Sequence, residues 1–153
     1  MNKYLFYIFF TFIGFQAKAQ LYLQQIPDRG LYEADAIYMQ KGYKLAFSNM
    51  TSENYLFKGR EEEWKKQWSG FLTGIYHTIS EKQLWPSSVG ECYFRVYFNK
   101  DGTVAACLYQ MAGLDKDKEE KLKELIFNYI IKQKLKIETT ENYWQYGVLK
   151  FGQ

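Results

Sequence analysis

A run of strict alternation between residues 91 and 98 does most to limit the fold. Cys92, Phe94, Val96 and Phe98 fall on one side, and Tyr93, Arg95 and Tyr97 on the other. That is the period of a strand with one face against a core. Asn99-Lys100-Asp101-Gly102 follows, a set of residues suited to a tight reversal in which glycine takes positive φ. Thr103 to Tyr109 then returns as the second arm. On this reading Tyr93, Tyr97 and Tyr109 share the outer face with Arg95.

The apolar face of such a hairpin needs cover, and two amphipathic segments supply it. Over Arg60 to Lys82, the residues Trp64, Trp68, Phe71, Leu72, Ile75 and Ile79 recur at spacings of three and four, one stripe of a helix. Glu61, Glu62 and Glu63 suit the positive end of its dipole. Gly70 and Gly74 lie off the stripe, where each weakens a helix by about 1 kcal/mol relative to Ala. They imply a bend or a close neighbour. Asp115 to Lys134 repeats the pattern with Leu122, Leu125, Ile126, Tyr129 and Ile130, and Asp115 is a candidate cap. Leu135 to Glu138 and Tyr143 to Phe151 read as extended, with Thr139 to Asn142 turning between them. The expected fold is α+β: a small antiparallel sheet with helices on one face, in the order helix-β-β-α-β over residues 60–153. Residues 20–59 form an N-terminal extension, with a short hairpin of Ala36 to Met39 and Tyr43 to Phe47 around Gln40-Lys41-Gly42.

The chain of 153 residues is 47% hydrophobic and 20% aromatic, enough to build one packed domain and unlike a disordered chain. Its first 19 residues read as a secretory signal: Lys3, an apolar run from Tyr4 to Phe15, then Ala17-Lys18-Ala19 before Gln20. The run is shorter than the roughly 20 apolar residues of a spanning helix. An uncleaved anchor is the competing reading. Cleavage removes Lys3 and Lys18 and no acid, leaving 18 basic against 17 acidic side chains. So even a balance offers no footprint for nucleic acid and no polybasic membrane patch. The expected location is periplasmic or secreted, with no stable membrane span after cleavage.

Chemistry is sparse. The single histidine, His77, falls on the helix side opposite the apolar stripe. With Phe98 opposite Val104, Cys92 lies opposite Gln110, three residues from Cys107. At about 3.3 Å per residue, that is beyond the reach of a disulfide. Two buried free thiols are expected. No cysteine or histidine spacing makes a metal site, no glycine-rich loop cradles phosphate, and the paired glutamates sit on exposed helix starts. No catalytic, cofactor or metal residue is assigned. The Tyr93, Arg95 and Tyr97 stripe is a candidate binding surface, or else a strand face packed beneath another segment.

Cys92 to Val104, with its alternating strand and acidic-Gly turn, resembles the first hairpin of the TonB C-terminal domain family. The following helix and the last strand, Tyr143 to Phe151, are similar to that family in order and length, and Trp85-Pro86 is similar to the aromatic-Pro before its first strand. The resemblance covers about residues 71–153. With no Pro-rich spacer, it implies a free-standing exported relative that binds proteins or peptides, envelope proteins among them, by adding a strand at its sheet edge. The matching edge is the last strand, with Tyr143, Trp144, Gln145, Tyr146 and Val148 along it. Lys150 is its only charge, so the edge is open to self-association as well. The alternative is a small ligand carrier or enzyme built around a pocket between the N-terminal segment and the sheet, marked by a buried Glu, Arg95 or a free Cys.

The Ala17-Lys18-Ala19 site predicts a mature chain starting at Gln20, measurable by mass spectrometry of protein from its native envelope. A membrane-embedded chain retaining Met1 would overturn export by cleavage.

Overall fold

The computed structural model describes residues 22–25, 41–50, 54–81, 90–111 and 115–151, with the backbone alone for 22–25, 90, 111 and 151. The signal-like segment, the Ala36 to Met39 arm of the expected hairpin and Trp85-Pro86 lie outside the described residues. Among them no helix is long and apolar enough to cross a membrane.

The described elements are β1 (Tyr22–Gln25), β2 (Lys44–Leu45), α1 (Glu61–Ser80), β3 (Gly90–Phe98), β4 (Val104–Met111), α2 (Lys116–Ile130) and β5 (Tyr143–Phe151). This is an α+β fold, and the order helix-β-β-α-β runs from α1 to β5. The sheet is mixed rather than wholly antiparallel, in the order β1-β4-β3-β5-β2. Its centre, β4-β3-β5, is antiparallel. Both outer strands come from the N-terminal segment and pair in parallel, β1 with β4 and β2 with β5. Residues before Arg60 thus belong to the same sheet as the domain expected over 60–153.

The hairpin forms at Asn99 to Gly102, where Gly102 has φ +85°. Asp101 accepts from the Thr103 N–H at 3.0 Å and from its hydroxyl at 2.6 Å. Phe98 does face Val104, but the next pair is Tyr97 with Ala106. Ala105 is an extra residue, a bulge that shifts everything beyond it by one. Cys92 therefore faces Met111 instead of Gln110. Tyr109 faces Phe94 and joins the core, leaving the outer face to Tyr93, Arg95 and Tyr97.

Both helices cover the face that carries Cys92, Phe94, Val96 and Phe98. On α1, Trp64, Phe71, Ile75 and Ile79 are buried, while Trp68 and Leu72 pack half-buried at the flank. Phe57 and Trp64 stack at 5.0 Å, Trp64 and Trp68 at 5.9 Å, and Trp68 and Phe71 at 5.5 Å. Such pairs add about 0.5–1.5 kcal/mol each beyond their area. Asp115 caps α2 by accepting from the Lys118 N–H at 2.9 Å. The helix stops at Ile130, short of Lys134. The strand expected over Leu135 to Glu138 does not form: one bridge, Lys134 with Thr103, lies just before it, and the Leu135 N–H donates to the Gly102 carbonyl of the hairpin turn at 3.0 Å.

The two helical glycines separate cleanly. A Cβ on Gly70 would meet nothing within 4 Å, whereas a Cβ on Gly74 would overlap the Tyr129 ring. That ring is held by a 3.1 Å bond from its hydroxyl to the Phe71 carbonyl. Gly70→Ala should raise stability by about 1 kcal/mol, and Gly74→Ala should lower it by about 1–3 kcal/mol. Urea denaturation midpoints measure both.

Candidate functional site

The edge of β5 is half covered. Lys44 N–H donates to the Asn142 carbonyl and Ala46 N–H to the Trp144 carbonyl, each at 2.9 Å. Those carbonyls therefore point away from β3. By the period of two, the N–H and C=O groups of Tyr146, Val148 and Lys150 point the same way. β2 does not reach them. Phe47 N–H turns to the Gln145 side-chain oxygen at 3.0 Å. The Leu45 and Ala46 carbonyls accept from Leu56 and Phe57 N–H at 2.8 and 3.1 Å. Beyond this point, the outward groups of Tyr146, Val148 and Lys150 have no strand partner among the described residues.

This divides the five edge residues expected to bind. Tyr143 is fully buried, stacked on Phe98 at 5.1 Å and edge-on to Trp64 at 5.6 Å, and burial raises its hydroxyl pKa. Gln145 is buried too, and its side chain ends β2. Both face the helices and are part of the core. Trp144 is half-buried beside β2. Tyr146 and Val148 are the exposed members, at 52% and 38%.

Tyr146 and Val148 lie beside the hairpin candidates on the outer face. Tyr93 pairs directly with Val148, and Arg95 with Tyr146. Tyr93 is exposed, Arg95 half-buried and Tyr97 fully buried. The Arg95 guanidinium lies 4.8 Å from the centre of the Trp144 ring, a cation–π contact. Tyr97 meets Tyr43 edge-on at 5.5 Å. At the far end Glu91 accepts from the Tyr93 hydroxyl at 2.7 Å and pairs with Lys150 at 3.0 Å. Those two contacts hold its carboxyl below the usual range. The two candidate surfaces are thus one surface, packed at the Tyr97 end and open at Tyr93, Tyr146 and Val148.

A cleft of about 560 Å³ opens on the other side of the same edge, between α1 and the vacant strand position. Its walls include Phe47, Lys65, Trp68, Leu72, Tyr76 and Leu149. Gly147 makes it tight: a Cβ there would come within 2.8 Å of Trp68 and 3.0 Å of Leu72. None of these six wall residues is among the candidates that the sequence offers. Trp68 and Leu72 belong to its apolar stripe, but each step of four along a helix advances about 40°. The row Trp64, Trp68, Leu72, Tyr76 therefore drifts from the core to the flank.

Arg95 lies on the opposite sheet face from this cleft, and both cysteines lie in the core. Cys92 and Cys107 are free and buried; Cys107 pairs with Val96, four positions along β3 from Cys92. Burial pushes the Cys107 thiol up to about 12, and burial together with the Cys107 charge pushes Cys92 higher still. His77 is exposed. No group of three or more metal-binding side chains gathers among the described residues. No family model, curated protein or solved structure matches the chain.

Thiolate is the reactive form of cysteine, so both thiols should resist a disulfide reagent at neutral pH in the native protein. After denaturation without reductant, titration should count two. A count of zero would overturn the unbridged core.

Proposed function

We propose that the chain is an exported protein- or peptide-binding module that captures an extended segment by strand addition at β5, beyond the end of β2. The observation that carries this reading is the outward backbone of Tyr146, Val148 and Lys150, which has no strand partner among the described residues. The Tyr146 carbonyl accepts only a long 3.4 Å bond from the Gln145 amide, and the stretch is flanked by the cleft on one side and by exposed Tyr146, Val148 and Tyr93 on the other. An incoming strand gains main-chain hydrogen bonds from the edge and specificity from pockets for alternate side chains. The free stretch, Tyr146 to Phe151, is about 20 Å long at roughly 3.4 Å per residue, room for a segment of five or six residues. One charge guards it, and Lys150 is drawn to Glu91 on the neighbouring strand. The signal-like first 19 residues support export, and a periplasmic location gives the edge envelope proteins as partners. The TonB-like order of hairpin, helix and last strand agrees with this mode of binding.

Proline separates binding from folding here. Val148→Pro removes an outward donor, so the variant should stay folded by circular dichroism and lose partners in pull-downs from envelope extract. Gln145→Pro removes an inward donor and the acceptor for Phe47 N–H, and should lose about 1–3 kcal/mol of stability. A folded Val148→Pro protein that retains every interaction would reject strand addition at this edge.

A further inference from the structure

The vacant strand position is closed at one end. β2 fills the place beside Trp144, and Phe47 is tied to Gln145 immediately beyond it. A chain entering from the Phe151 end must stop at Phe47 or leave the sheet. α1 runs alongside in the direction of β5: Trp64 meets Tyr143, Trp68 and Leu72 come down on Gly147, and Tyr76 lines the cleft with Leu149. The closed end is therefore the end of Trp64 and Lys65.

That end is rich in donors. The Lys65 ammonium lies 5.3 Å from the centre of the Phe47 ring, and its described ion-pair partner is the highly exposed Glu62, at 2.9 Å. A surface pair of this kind exchanges readily for a better one. Trp64 also lines the cleft, and its buried Nε1–H has no acceptor among the described residues. Asn49 adds an amide to the wall, and among the described residues no acidic side chain lines it. An amino terminus placed here would set one ammonium against another. A carboxylate fits.

We propose that the occupant is the carboxyl-terminal tail of a partner protein, running antiparallel to β5 with its free carboxylate at the Phe47 end beside Lys65. This inference rests on strand addition at β5 and adds direction, terminus and side-chain pattern. With the last residue opposite Gly147, where β5 has no side chain, its own side chain faces Trp68 and Leu72. The residue two before lies opposite Leu149 on the same face. The residue between them exchanges main-chain bonds with Val148. The motif is apolar, any residue, apolar, carboxylate.

Fluorescence anisotropy with a labelled GSTLTL peptide tests it on the mature protein, comparing the free acid with the C-terminal amide. The acid should bind at least tenfold tighter. Lys65→Gln and Lys65→Glu should abolish that difference, while Lys66→Glu, the same charge change outside the cleft wall, should keep it. Val148→Pro should remove binding of both peptides. Equal binding of acid and amide, both lost in Val148→Pro, would reject terminal recognition and leave strand addition standing. An amidated GSTLDL peptide that matches the free acid would reject it in favour of a side-chain carboxylate. Binding that survives Val148→Pro, or no binding of either peptide, would reject the edge itself. A dimer by light scattering that the free acid does not dissociate would assign the edge to a second copy of the chain.

Discussion

The rest of the structure depends on how low α1 sits on the sheet. Gly147 leaves the space above β5 that Trp68 and Leu72 occupy, and a side chain there would lift the helix. Because α1 lies low, Trp64 stays within ring contact of Phe57, Phe98 and Tyr143 at 5.0–6.3 Å. One cluster then joins the helix, the hairpin, the last strand and the chain after β2. The same position determines the cleft. α1 approaches β5 closely and its flank looks over the sheet edge, so the end of β2 leaves a walled channel instead of open surface.

The parts legible in the sequence are those with strong local contrast. The hairpin shows itself through alternation from Cys92 to Phe98 and the turn at Gly102, and α1 through its apolar stripe. The bulge does not. Val104-Ala105-Ala106-Cys107 is a run of small residues without alternation, so no side chain marks which position is doubled. The cost of missing one residue is a reversed face for everything beyond it, which is why Tyr109 moved from the outer face to the core. The edge strands were hidden for another reason. β1 has four residues and β2 two, too few to show a period, and parallel pairing leaves no turn beside it in the sequence. What defines them is the partner strand, far away in the chain.

The candidate edge shows the same limit at single residues. In Tyr143-Trp144-Gln145-Tyr146 both faces carry large rings, and the pattern does not say which row is inside. The buried row is the one containing the amide, because the Gln145 oxygen is used: it accepts the Phe47 N–H that would otherwise be left when β2 ends. A polar residue in the core is the local signature of an interrupted strand. Tyr146 and Val148 remained surface residues, and their neighbours across the ladder are Arg95 and Tyr93. The two proposed surfaces met because a central strand places both its neighbours' residues on one face.

A sheet edge left entirely bare invites uncontrolled pairing, while one entirely covered captures nothing. This fold lies between the two. β2 uses the chain's own backbone to close the first part of β5 and then turns away through Leu56 and Phe57, so the covered part cannot extend. The uncovered part is short, bounded by Phe47 at one end and by the Glu91–Lys150 pair at the other. Its helix side is walled by Trp68 and Leu72, which lie over Gly147. Main-chain bonding alone would accept almost any extended segment. On the proposed reading, the walls and the closed end would convert that general attraction into a choice among partners, and the low seat of α1 over Gly147 shapes both.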